Sequence, residues 1–230
     1  MKQSELLGHL RCSVLRDIAS PQLWSDTELI RFLDEAYRNF ARRTFCLSDD
    51  TSEFTTFPTV VGQQEYELDP RILRIEEAGI IETDTEGRQT WHPMRDGTRG
   101  QVSRMFYEGR PTCYGAQVAT KRLRLSPVPN EVYVVQLRVM RLPLKQMTRQ
   151  TMDMALEIPE DYQLMLADYA AWRALRNNDP EGANMAASQS MREGYEKSVR
   201  AAKRDYAHMH AGESPLARAN WTGKTRYVRL

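Results

Sequence analysis

Cysteine is scarce in this chain: three in 230 residues, Cys12, Cys46 and Cys113, an odd number at wide spacing. No CxxC pair exists, which excludes a disulfide framework and a zinc knuckle built on paired thiols; a reducing compartment suits it. No apolar run approaches ~18 residues, so no membrane-spanning helix is expected. The N-terminus lacks the apolar core of a secretory signal, so a soluble protein not exported by the usual route is predicted. Charge of one sign is missing too. The net charge is +1, and no whole-protein field points to nucleic acid or an anionic membrane. Lysine is rare, 6 against 26 arginines, and arginine is the cation enriched at interfaces.

Recognisable catalytic patterns are absent. There is no P-loop, no GxGxxG after a strand, no GxSxG and no HExxH. His208 and His210 sit two residues apart on a helical pattern, which turns them ~200° from each other, away from a shared metal. His9 and Cys12 fall at i, i+3 without a second pair and read as a surface histidine and a buried cysteine. Asp49-Asp50 follows a helix and reads as a turn. No catalytic residue, cofactor or metal is therefore predicted, and no enzyme.

What is present is organised helix, strand, helix. Leu6, Leu10, Val14 and Ile18 recur every four residues and predict a first helix that Pro21 ends. In LWSDTELIRFLDEAYRNFARR, Ser25 and Glu28 form a capping box and Trp24 with Leu29 a hydrophobic staple. Leu29, Leu33, Ala36, Tyr37 and Phe40 make its apolar stripe. Residues 53–147 read as short strands between turns: EFTTFPTVV, QEYELD, ILRIEEAGIIE, TCYGAQ, KRLRLSPV and VYVVQLRVMRL. Tyr133, Val135, Leu137 and Val139 alternate through the longest, as in a half-buried strand of an antiparallel sheet or small sandwich. Residues 83–111 read mostly as a long polar loop, with a short helix near Val102, Met105 and Phe106. Helix returns at EIPEDYQLMLADYAAWRALRNND, with the stripe Tyr162, Met165, Leu166, Tyr169 and Trp172. Asp179-Pro180-Glu181 starts a last helix through Met191, Tyr195, Val199, Ala202 and Tyr206.

Each terminal helix pair has one apolar face and cannot bury it alone. The expected fold is α+β: a four-helix bundle with an antiparallel β domain inserted between helices two and three. The expected domains are 1–50 with 151–211 (helical), 51–150 (β) and 212–230 (an extended tail). The tail GESPLARANWTGKTRYVRL carries Arg218, Lys224, Arg226 and Arg229 against Glu213, net +3, where residues 151–211 are net −3. It also carries Trp221, Tyr227 and Leu230, which are costly to leave in water.

The ordered motifs resemble a known family. Trp24–Ala36 is similar to the W-S-D-x-E-L-I-x-x-L-N/D-E-A stretch of the head-to-tail adaptor (connector, head completion) proteins of tailed bacteriophages. GQQEYELDPRILRI (62–75) is similar to their G-x-x-x-Y-x-L-P-x-D-x-L-R-I strand pair, with Asp69-Pro70-Arg71 as a departure. YEGRPTCYG, LRLSPVPN and EIPEDYQLMLADYAAWRAL match further segments in order, over about residues 4–206. The resemblance implies a structural subunit made in the host cytoplasm and sited in the virion at the head-tail junction. It implies a ring homo-oligomer, commonly dodecameric, bound to the portal protein. Such a ring continues the channel for double-stranded DNA without sequence specificity and docks the next neck, stopper or tail protein. It implies no membrane partner. In several such connectors the C-terminal segment wedges against the portal, which here assigns Arg218, Trp221, Lys224, Arg226, Tyr227, Arg229 and Leu230 to portal binding. Arg95, Arg99 and Arg104 in the polar loop are the candidates for facing the channel DNA. The rival readings are a DNA-binding protein using the 95–104 loop and the basic tail, and an enzyme or glycan-binding module on the β insertion.

Overall fold

Ser25 begins the second helix as its spacing predicts. Its Oγ accepts the Glu28 amide at 3.3 Å, and the Glu28 carboxylate accepts the Ser25 amide at 3.1 Å. Such reciprocal caps satisfy donors that a helix start leaves bare. The computed structural model describes residues 1–97, 107–177 and 185–211, with no side-chain description for 177 and 207–211. The fold is mixed α+β, with antiparallel sheets and, among the described residues, four α-helices. Contacts divide the chain into one unit of Met1–Cys46 with Lys145–Leu230 and another of Leu47–Leu144.

The first unit contains α1 (Gln3–His9), α2 (Asp26–Thr44), α3 (Met165–Asn177) and α4 (Met185–Ala211). The predicted stripe of α2 is fully in the core, with Leu29, Leu33, Ala36, Tyr37 and Phe40 all essentially inaccessible. On α3 the innermost residues are Leu166, Ala167, Ala170, Ala171 and Ala174, while Tyr169 and Trp172, and Tyr162 on the 3-10 turn before the helix, are half-buried. Alanine lets helix axes approach closely, and α3 packs on both α2 and α4. Polar clips cross the helices. Tyr37 Oη accepts the Glu157 amide at 2.7 Å, Tyr195 Oη donates to Asn39 Oδ1 at 3.0 Å, and Arg43 grips both Glu196 oxygens at 2.7 and 2.6 Å.

The first helix differs from its prediction. α1 stops at His9, Leu10–Leu15 continue as a π-helix, and Arg16 turns left-handed at φ 54°. Wider π winding shifts the side-chain face, so the four-residue period fails after Val14. Ile18 then lies outside the helix and 75% exposed. The start Asp179-Pro180-Glu181 of the last helix lies outside the described residues.

In the second unit the strands are β1 (Ser48–Asp49), β2 (Thr56–Pro58), β3 (Glu65–Glu67), β4 (Ile72–Thr83), β5 (Gln89–Pro93), β6 (Arg95–Asp96), β7 (Cys113–Gln117), β8 (Arg122–Ser126) and β9 (Val134–Arg141). One sheet runs β1-β9-β4-β5, with β2 also on β9; the other runs β3-β8-β7-β6. All pairings are antiparallel except β6 with β7. Both sheets turn apolar faces into one core: Ile75, Ala78, Ile80, Val135, Leu137 and Val139 from the first, Tyr114, Leu123 and Leu125 from the second. The chain enters and leaves side by side, since the Arg141 amide donates to Leu47 O at 2.9 Å.

One strand prediction is corrected and the polar segment gains detail. In EFTTFPTVV only Thr56–Pro58 pairs; Glu53–Thr55 is a 3-10 turn pinned by Thr55 Oγ1 donating to Ser52 O. The polar segment 83–111, which reads as mostly loop, contains two short strands among its described residues, β5 and β6. A turn at Asp84–Arg88, with Gly87 at φ 78°, folds β5 back along β4. The Asp84 carboxylate accepts the Glu86 and Arg88 amides, the local bonding that starts such turns. At Met94 the chain passes from one sheet to the other as β6.

Candidate assembly surface

Strand pairing fixes what each sheet turns outward. On the four-stranded sheet the outward set is polar: Glu65 faces Arg124, and Glu67 faces Arg122. Glu65 also forms ion pairs with Arg122 and Arg124 at 3.3 and 3.4 Å. This is a solvated, ion-paired strand face.

The five-stranded sheet is different. Its register aligns Pro58, Val134, Ile81 and Trp91 in one row across β2, β9, β4 and β5. Cross-strand partners share a face, and their neighbours Val135 and Ile80 are buried, so this row points outward. The alternation continues past the strand ends, where Thr59 and the Tyr133 backbone bond each other at 2.8 Å. It places Val60 and Val132 on the same face. Val132, Val60, Trp91 and Val134 are 66, 53, 42 and 41% exposed. An apolar strand face open to water is uncommon and marks an interaction site.

The next row explains how Trp91 lies. Gly79 pairs with both Pro93 and Gln136, and a Cβ built on it would stand 2.3 Å from Trp91 Cε2. The indole therefore rests on the bare Gly79 backbone. Beside it is a recess of about 130 Å³ lined by Asp50, Glu77, Trp91, Gln136 and Arg138. Arg138 lies 3.6 Å from Asp50 and 3.5 Å from Glu77, one cation between two carboxylates. The face thus grades from aliphatic at Val60 and Val132 to acidic at Asp50 and Glu77.

Beneath this end lies Asp49, whose carboxylate is buried. Burial pushes its pKa up, but hydrogen bonds from Ser52, Thr51 and Arg141 outweigh that and hold it far below the usual carboxylate range. Asp49 is thus the turn residue expected from Asp49-Asp50, and it also anchors β1 to the end of β9. Among the described residues no three His, Cys, Asp or Glu side chains converge to hold a metal. No described helix is long and apolar enough to cross a membrane.

Of the predicted site residues, Arg95 lies exposed on β6 at the edge of the four-stranded sheet. Arg99, Arg104 and the seven tail residues Arg218, Trp221, Lys224, Arg226, Tyr227, Arg229 and Leu230 lie outside the described residues, as does the expected helix at Val102–Phe106. The apolar face itself escapes a reading of periodicity. Its signal is VYVV at 132–135, where a half-buried strand should carry polar residues at every second position, together with a tryptophan inside an apparently polar loop.

A family model described as SU10 adaptor protein matches residues 1–219. The chain belongs to the SU10 adaptor protein family. No curated protein matches it. The SU10 adaptor proteins are a family of phage structural adaptors, and membership makes this chain a virion component. The resemblance to phage adaptors, read from ordered motifs, is correct at that level. Residues 220–230, with Trp221, Lys224, Arg226, Tyr227, Arg229 and Leu230, lie beyond the part that matches the SU10 adaptor model.

Proposed function

We propose that the chain is a subunit of a ring at the head-tail junction. The ring, a dodecamer in the virion, is seated on the portal protein, extends the channel for double-stranded DNA and docks the next neck, stopper or tail protein. In this reading the helical unit is a four-helix bundle into which the β unit is inserted. The observation that carries it is the SU10 adaptor match over residues 1–219. The exposed apolar sheet face supports it, because a structural subunit works by covering such surfaces.

The C-terminal segment anchors on the portal. Trp221, Tyr227 and Leu230 supply ~1.5–3 kcal/mol each when buried, against the entropy of ordering the segment. Arg218, Lys224, Arg226 and Arg229 add pairs with acidic portal groups, and the segment docks by strand addition or in a groove. Arg95, Arg99 and Arg104 face the DNA, contributing charge without sequence readout.

Native mass spectrometry of the chain mixed with its portal ring tests this reading. Full-length chain should load the portal in multiple copies, and chain lacking 212–230 should load poorly. A chain that ignores the portal in both forms, yet binds free DNA with a steep salt dependence, overturns it in favour of the DNA-binding reading.

A further inference from the structure

A second apolar feature lies on the helical unit. After the π-helix, residues 16–25 loop back to the start of α2. Asp17, itself buried, accepts Arg11 NH1 at 2.7 Å, the Leu23 amide at 2.9 Å and the Trp24 amide at 3.3 Å. Arg11 NH2 donates to Trp24 O at 2.9 Å and to Asp26 Oδ1 at 2.6 Å. The loop is therefore clamped at both ends by one buried ion pair. A buried pair is seldom retained for stability alone, since apolar residues of similar volume commonly do as well. What this one achieves is geometry. It draws Leu23 back beside the residue preceding Ile18, and both side chains are held out in solvent, 75% exposed at Ile18 and 70% at Leu23. Two large aliphatics on a fixed loop lose little conformational freedom when they are covered.

We propose that Ile18 and Leu23 of one copy dock on the Pro58–Val134–Ile81–Trp91 face of a second copy of this chain, head to tail. Each feature is an apolar surface without an occupant among the described residues, and each is of a kind the other fits: a projecting aliphatic pair and a sheet face. Their charges are complementary. Arg16 is exposed beside Ile18, and the sheet face is flanked by Asp50 and Glu77 with Arg138 as the intervening cation, one negative charge in excess. Because the two surfaces differ, the contact is heterologous. Every copy in a closed ring then offers one of each and leaves neither bare. The inference rests on the ring-subunit reading and names the contact between its copies.

The test uses two variants of the full chain, Leu23→Asp with a disabled loop and Val134→Asp with a disabled face, followed by native mass spectrometry and sedimentation. Wild-type chain should associate beyond the dimer as concentration rises. Each variant alone should associate ~10-fold more weakly or worse. Mixed, the two should form one-to-one dimers and nothing larger, because only one intact loop and one intact face remain. Ile18→Asp and Val132→Asp repeat the test at more exposed positions, where folding is not at stake. A mixture that stays monomeric overturns the proposal. So does association lost in Val134→Asp but kept in Leu23→Asp, which would mean that two sheet faces stack on each other. A wild-type chain that remains monomeric at every soluble concentration overturns it as well. If the variants load the portal as wild type does, the contact is wrong and the ring reading stands; if wild type fails to load, the ring reading itself is wrong.

Discussion

Burial pushes the Asp49 carboxyl up, and its hydrogen bonds from Ser52, Thr51 and Arg141 pull it down further than burial raises it. The folded state thus holds this carboxylate ionised where an unfolded aspartate, near pH ~3.9, would take up a proton. A depressed pKa contributes stability above the unfolded value and loses it as pH falls through the folded one. Urea unfolding between pH 7 and 2 should therefore show stability declining from about pH 4 downward. Asp49→Asn should be less stable at pH 7 and have a shallower acid slope; equal slopes in the two proteins would mean that Asp49 does not carry the effect. A sequence reading reaches the turn made by Asp49-Asp50. It does not reach Arg141, 92 residues away, which depends on β9 returning beside β1.

At the scale of elements, legibility follows how local the determining interactions are. α2 could be read from Ser25, Glu28 and one stripe, because its cap and its period are all within the helix. The first helix could not, since its π segment and the Arg11–Asp17 clamp have no signature in a four-residue repeat. β5 was hidden for a related reason: Gln89–Pro93 is polar toward its ends, and its partner is fixed by the turn at Asp84–Arg88. The apolar face became visible only when register placed Trp91, Ile81 and Val134 in one row. Gly79 gives that row a test. Gly79→Ala must displace the indole that lies on its backbone, at a cost of ~1–3 kcal/mol for crowding. Denaturant unfolding should register the loss, and Trp91→Ala made in the same chain should recover most of it by removing the clash. A Gly79→Ala chain as stable as wild type would mean that the ring swings away freely.

Over the whole molecule, each unit has its own apolar core, and the β unit is built from one continuous stretch, Leu47–Leu144. A fragment of residues 47–144 should therefore fold alone, with a cooperative thermal transition and dispersed amide resonances. Leu137→Ala, at a fully buried position, should lower its stability by ~2–5 kcal/mol. A fragment that remains unfolded would make the two cores interdependent.

The bond from the Arg141 amide to Leu47 O also bears on the order of events during folding. Before residues 47–144 fold, α2 and α3 are joined by a long unfolded segment, and bringing them together carries the closure entropy of that whole length. Once β1 has zipped against β9, the loop between α2 and α3 is shortened to the residues outside the Ser48–Met140 pairing. Each halving of effective length returns about 0.6 kcal/mol. A chain that folds residues 47–144 first therefore meets a smaller search when the helices assemble.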